Sequence, residues 1–370
     1  VEVVDPLTVR FITKIPFPLM LINVSRIRIV PKNYLEAQGT DGFRQKPIGT
    51  GPFKYVEWVK DDHTTLEKNT EYWGEVPQID RVIFKPKPEA STRTAELKAG
   101  TADLITLVPI SDVPSLQESD DLMVAEITSN RSMFIQLDSI DESLPTADVR
   151  VRQALNYAVN KEELIQTILD GHGTPLKGQL VPHHFFGFNE SLQAYPYDPD
   201  RARQLLAEAG FPDGFELVLR GPVGRYMADK ELVEAIAGQL QAVGIRVTVD
   251  IREWSVYAPE LYQRPGLSPA FMAGWGPVPD AMGMFTLEQC DSVIKFHCNP
   301  EYDEMVNSAK QTVDEAARME MYRGITQWLH DNPPVIYLHV QSNIYAHHQR
   351  VKGFRPSPDE VIRLTGVTKD

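Results

Sequence analysis

The chain has 370 residues, with 37 Lys and Arg against 51 Asp and Glu, a formal net charge of -14, 42% hydrophobic residues and 24% charged ones. That length suits two domains of ordinary size, and the composition is that of a folded globular chain. So acidic a surface repels nucleic acid phosphates and anionic lipid, which removes nucleic acid as an expected partner. No run approaches the roughly 18 consecutive apolar residues that a membrane span needs.

The first residues, Val1 to Thr13, carry no initiator Met, no basic stretch and no apolar signal core. Val3, Leu7, Val9 and Phe11 alternate with polar neighbours as in a strand already inside a domain, which predicts that residues precede Val1 in the parent protein. Ile48 to Tyr55 reads as a Gly/Pro turn feeding a strand, and Arg81 to Pro86 as a second short strand. Ala90 to Gly100 is a helix with a glycine stop, followed by a strand from Ala102 to Thr106. Met133 to Leu137 is a strand, and a long helix follows over 148–169, with Val151, Leu155, Ala158 and Val159 on its apolar face. Asp198 caps a short helix that opens on Pro199 and stops at Gly210. A strand from Phe215, a helix from Ala228 to Val243 and a strand from Gly244 to Ile251 form a right-handed parallel crossover. Such a unit places a ligand crevice at the carboxyl ends of its strands. Ala270 to Trp275 is a buried strand, helices span 302–311 and 314–331, and Pro333 to Val340 returns as a strand.

Two extended crossings, near Met133–Leu137 and Val335–Val340, bracket an α/β block. That arrangement predicts a lobe over 1–137, an inserted α/β lobe over 138–334 and a return to the first lobe over 335–370. Phe134, Gln136, Ile336 and Leu338 would lie in a two-strand hinge that closes a cleft over a ligand.

Motifs for a serine hydrolase elbow, a zinc protease helix, a phosphate-binding loop and a cysteine zinc site are missing, so the chain reads as a binder and not an enzyme, with no metal and no cofactor. The adjacent pairs His183-His184 and His347-His348 point apart on a strand or helix and read as surface histidines. Cys290 and Cys298 would close a small ring in an oxidising compartment, a bond of roughly 2–3 kcal/mol, and would be two ordinary thiols in the cytosol. The strongest local signal is Gly274-Trp275-Gly276 with Asp280 just beyond it. There a strand end presents bare backbone and a large aromatic face together, against the alternative of a core tryptophan beside a turn. Trp254 and Tyr257 would extend the same wall. Arg225 and Tyr226, in the loop of the crossover unit, would add a cation for a ligand carboxylate and another aromatic face, against a plain solvated arginine.

Several blocks in fixed order resemble the family 5 extracellular solute-binding proteins of bacterial ABC importers. They are Pro47 to Tyr55, Asn69 to Gly74, Asp148 to Ile165, Tyr197 to Gly210, Gln241 to Ile245, Ala273 to Gly276 and Cys298 to Asp303. The resemblance runs through essentially the whole chain. It implies an α/β fold of the periplasmic-binding-protein type II class, two lobes joined by a two-strand hinge, with an N-terminal section lying ahead of Val1. It also implies an extracytoplasmic protein, periplasmic or on the cell surface, with lipid anchoring left open. As a monomer it would capture a peptide, oligosaccharide or related small solute in an interlobe cleft and deliver it to an ABC permease. In oligopeptide binders an aspartate three residues after the Gly-Trp tryptophan holds the peptide amine, and an arginine stands three residues before it. Here those positions are Val278 and Met272, which makes a sugar or opine-like solute comparable to a peptide. The rival readings are a secreted hydrolase of peptides or glycans, and a receptor or scaffold docking a protein partner.

Overall fold

The computed structural model describes residues 1–262, 269–276 and 279–370. The chain divides into two compact units, one made of Val1–Ser25 with Asn130–Gln341 and the other of Arg26–Ser129 with Ser342–Asp370. These divisions lie inside the two long strands Leu122–Leu137 and Val335–His348 and not at the expected 137/138 and 334/335. Both strands run well beyond their predicted ends, because the added stretches carry buried polar residues, Ser129 and Ser132 in one and Gln341, Ser342 and Asn343 in the other, which an apolar pattern does not mark. Phe134, Gln136, Ile336 and Leu338 are buried inside the first unit, away from the points where the chain leaves it. Val1–Ser25 also groups with that unit. Its start is an exposed hairpin, Glu2–Asp5 with Thr8–Arg10, and not the single strand inside a domain that the alternation suggested. Asp5 turns the chain there by accepting the Leu7 N–H at 2.8 Å.

The strands used below are β1 (Leu122–Leu137), β2 (Glu216–Val223), β3 (Arg246–Glu253), β4 (Ala270–Trp275) and β5 (Val335–His348), in the sheet order β3-β2-β4-β1-β5, with only parts of β1 and β5 in the first unit. The helices used below are α1 (Val149–Ala158), α2 (Lys161–Thr167), α3 (Pro199–Glu208), α4 (Asp229–Gln241), α5 (Trp254–Glu260), α6 (Pro300–Gln311) and α7 (Glu315–Asp331). β2, α4 and β3 form the predicted parallel crossover, in register from Glu216↔Arg246 to Val223↔Glu253. α4 packs on the sheet through Leu232, Val233, Ile236, Ala237 and Leu240, one apolar stripe at helical spacing. β4 then enters beside β2, parallel to it, and pairs antiparallel with β1 from Ala270↔Leu137 to Trp275↔Ser132. The core beneath is aromatic, with Phe134, Phe271, Phe285, Tyr302, Tyr322 and Tyr337 all buried in one cluster.

The long helix expected over 148–169 is two helices. Val159 is extended, and Asn160 starts α2 by accepting the Glu163 N–H at 3.1 Å. Lys161 is buried and donates to the carbonyls of Asn156 at 2.8 Å and Val159 at 3.3 Å, satisfying the end of α1. Burial pulls its ammonium down to about 8. Asn156 also pairs with the backbone of β5, donating to Val335 O at 2.8 Å and accepting from the Tyr337 N–H at 3.1 Å.

The second unit holds a three-stranded antiparallel sheet, Phe53–Val59, His63–Lys68 and Arg81–Phe84. The helix Ala90–Lys98 follows, then the strand Leu104–Thr106, which pairs with the Tyr345–His347 end of β5. Tyr345, Val351, Phe354 and Val367 form its small core. Among the described residues no helix is long and apolar enough to cross a membrane.

Candidate functional site

Three stretches that sequence reasoning singled out meet at the carboxyl ends of β2, β3 and β4. After β2 the chain makes a loop in which Gly224 and Ala228 both have positive φ, 85° and 48°. Asp229, the first residue of α4, folds that loop around its carboxylate. One oxygen accepts the N–H groups of Arg225 and Tyr226, each at 2.9 Å, and the other accepts Lys230 at 3.0 Å and Gly224 at 3.4 Å. Burial raises the Asp229 carboxyl, and the four amides oppose the rise by stabilising its charged form.

The loop so fixed aims Tyr226 and Arg225 at the neighbouring elements. Tyr226 is buried, and its hydroxyl accepts the Gly274 N–H at 3.1 Å. The Arg225 guanidinium lies 5.2 Å from the centre of the Tyr226 ring and 5.5 Å from that of Trp254. The two rings meet edge to face at 5.8 Å. Trp254 directly follows β3 and is half-buried, so part of its indole stays open. The geometry replaces the solvated-loop reading of Arg225 with a guanidinium seated on two aromatic rings.

At the end of β4, Arg131 of the facing strand donates to Gly274 O at 2.9 Å and stands 5.7 Å from the Tyr226 ring. A Cβ on residue 274 would come within 2.6 Å of Met133 Sδ and 2.9 Å of both Arg131 Cδ and Tyr226 Cε1, so only glycine fits without movement. Trp275 is half-buried and donates its indole N–H to Gly283 O at 3.0 Å, while Gly276 is exposed beside Arg131.

Two expected contact residues take other places. Tyr257 is fully buried, 6.0 Å beneath the Trp254 ring, with its hydroxyl on Met272 O at 2.6 Å. It supports the wall from behind because α5 turns it into the sheet. Asp280 is also buried, and one of its oxygens accepts both the Met282 N–H and the Tyr322 hydroxyl at 2.9 Å. Burial raises its carboxyl, against the pull of those two donors and of Arg318. It anchors the chain after Trp275. Val278, the position compared with the amine-binding aspartate of oligopeptide binders, lies outside the described residues.

Cys290 and Cys298 are joined in a disulfide. His183 and His184 are exposed, but His347 is buried, with its Nδ1 at 2.9 Å from His348 O, which corrects the surface reading of that pair. Among the described residues no group of three or more His, Cys, Asp or Glu is arranged to hold a metal ion. Sequence reasoning missed Arg131, Met133 and Asp229. Asp229 had a readable signal, an acid in the first turn of a helix. Arg131 had none, since its partner Gly274 is distant in the chain.

A model of the family described as bacterial extracellular solute-binding proteins, family 5 middle, matches residues 1–292. The glutathione-binding protein of Pectobacterium atrosepticum is 29% identical over 377 residues, covering 98% of this chain and 72% of that protein. The dipeptide-binding protein of Escherichia coli is 29% identical over 374 residues, covering 97% of this chain and 69% of that protein. Among solved structures, an ABC transporter-associated periplasmic binding protein from Helicobacter pylori, in complex with the peptide STSA, superposes with a TM-score of 0.88. The two are 25% identical, and the match covers 100% of this chain and 73% of that one.

Proposed function

The chain belongs to family 5 of the bacterial extracellular solute-binding proteins, and on that premise we propose that it captures a short peptide, or a comparable small solute with a carboxylate and an apolar group, for delivery to an ABC permease. Capture makes and breaks no covalent bond. The observation that carries this reading is the Arg225 guanidinium resting on the Tyr226 and Trp254 rings. A guanidinium held against aromatic faces keeps its plane fixed, which suits two parallel hydrogen bonds to a carboxylate. The open part of Trp254 and the half-buried Trp275 supply apolar faces. Gly276, exposed beside Arg131, leaves room for solute backbone. A micromolar dissociation constant corresponds to about -8 kcal/mol, within reach of one charged pair and two aromatic contacts.

Relatives named for glutathione and dipeptides, and one solved in complex with the peptide STSA, support the peptide class, since each of those solutes has a free carboxylate. Isothermal titration with glutathione, a dipeptide panel and STSA, alongside the same solutes with amidated carboxyl ends, tests the reading. Binding that is lost on amidation supports it. Saturable binding of a neutral sugar, with no response to any acid-bearing peptide, would overturn it.

A further inference from the structure

Four charged side chains that the wall does not use close a ring beneath α5. Asp250 and Arg252 are two residues apart on β3 and so share a face, and Arg220 stands opposite Asp250 in the register of β2. Arg220 reaches Asp250 at 2.8 Å and Glu260 at 3.2 Å. Arg252 reaches the same two carboxylates, Asp250 at 3.1 Å and Glu260 at 2.5 Å. Each arginine thus bridges a strand carboxylate and the carboxylate at the end of α5. The side chains of Asp250, Arg252 and Glu260 are 29%, 34% and 27% exposed and that of Arg220 11%, so the ring is shielded from water more than a surface ion pair.

α5 needs such a clamp. It contains only Trp254–Glu260, includes Pro259 and has no side chain capping its start, so its own propensity does not hold it in place. Tyr257 pins its inner face to Met272 O. Glu260 pins its far end to both strands, and Trp254 is its first residue. Rotation of the helix about Tyr257 is what Glu260 prevents, and such a rotation would carry the Trp254 ring away from Arg225.

We infer that the Arg220–Asp250–Arg252–Glu260 ring positions Trp254, and so sets solute affinity without touching the solute. The inference rests on the reading that Trp254 faces the solute. It is tested by fluorine NMR of the protein labelled with fluorotryptophan, the Trp254 signal being assigned by its loss in Trp254→Phe. The full chain is compared with Glu260→Gln and Glu260→Ala, and with Arg252→Lys as the conservative variant.

The expected result is a Trp254 resonance that shifts or broadens in both Glu260 variants without solute present, with the Trp328 resonance unmoved. The Arg252→Lys resonance should return toward that of the unaltered protein. Affinity for STSA or glutathione should fall about tenfold in the Glu260 variants. A Trp254 resonance that is unchanged in folded Glu260→Gln and Glu260→Ala overturns the positioning role. A moved resonance with unchanged affinity for these probes also overturns the inference. If Trp254→Ala then leaves affinity unchanged as well, the fault lies in the reading of Trp254 as part of the wall, and otherwise it lies in the ring.

Discussion

The Tyr226 hydroxyl accepts the Gly274 N–H at 3.1 Å, a single bond that ties the loop after β2 to the end of β4. Arg131 completes the junction from the other side through Gly274 O at 2.9 Å. Both backbone polar groups of Gly274 are therefore held by side chains, and its missing Cβ is what lets those side chains approach.

Gly274→Ala is expected to destabilise the first unit by about 1–3 kcal/mol, the range for an overpacked site. The new Cβ would press on Met133 Sδ, Arg131 and Tyr226 together. Urea unfolding followed by circular dichroism measures the loss. A change below a few tenths of a kcal/mol would mean that the three side chains yield freely.

Arg225→Ala should weaken peptide binding at least about tenfold, while unfolding free energy stays nearly constant. Arg225→Lys keeps the charge but loses the guanidinium's contact with the Tyr226 and Trp254 rings, so it should fall between the two. Titration calorimetry with STSA and glutathione ranks the three proteins. Equal affinities across the series would remove Arg225 from the site.

Glu288 gives a pH prediction. It is buried, burial drives its carboxyl up to about 7, and one hydrogen bond from Gln136 at 3.2 Å opposes the rise. Folded protein therefore holds a proton that the unfolded chain releases near pH 4.5. The stability this group contributes is highest below that pH and falls as pH rises to about 7, by about 3 kcal/mol. His297 and His339 run the other way. Burial lowers each to about 4, so their contribution is complete above pH 6.5 and is lost as pH falls through 4. Glu288→Gln should thus gain stability over the unaltered protein at pH 8 and lose that advantage at pH 4.5, read from urea midpoints across the series.

Reducing the Cys290–Cys298 disulfide should cost about 2–3 kcal/mol, the chain-entropy value for so short a ring, given a separation of 8 residues. Thermal unfolding with and without a phosphine reductant, repeated on a Cys290→Ser/Cys298→Ser variant, checks this. A reduced protein as stable as the oxidised one would show that packing around Phe296 and Tyr302 holds the segment unaided.

Much of this arrangement was legible in the residues. The crossover through α4 was written in a strand–helix–strand alternation, and the stops at Gly100 and Gly210 fall where the chain takes positive φ. The Gly274-Trp275-Gly276 and Trp254 signals were readable because glycine and tryptophan are expensive choices at a strand end. Periodicity could not separate Tyr257 from Trp254, since both are aromatic and a few residues apart. Only the turn of α5 decides which faces the sheet. Asp280 was hidden for a similar reason: a carboxylate near a tryptophan looks available until Tyr322, from a distant helix, is seen to hold it. The break between α1 and α2 was in plain sight as Asn160 followed by two acids, but the apolar stripe ran through it and concealed the cap.

The in-register parallel pairing of β2 and β3 has a consequence for how such a protein changes over time. Arg225 lies in the loop just past β2, and Trp254 directly follows β3. The residues proposed to read a solute are thus short outgrowths on adjoining strands, whereas those that build the sheet lie within the strands themselves. Substitutions confined to the Gly224–Ala228 loop and the first turn of α5 would alter preference while leaving the hydrophobic frame intact. A lineage could move from one solute to another through a few such steps, each of them compatible with a folded ancestor.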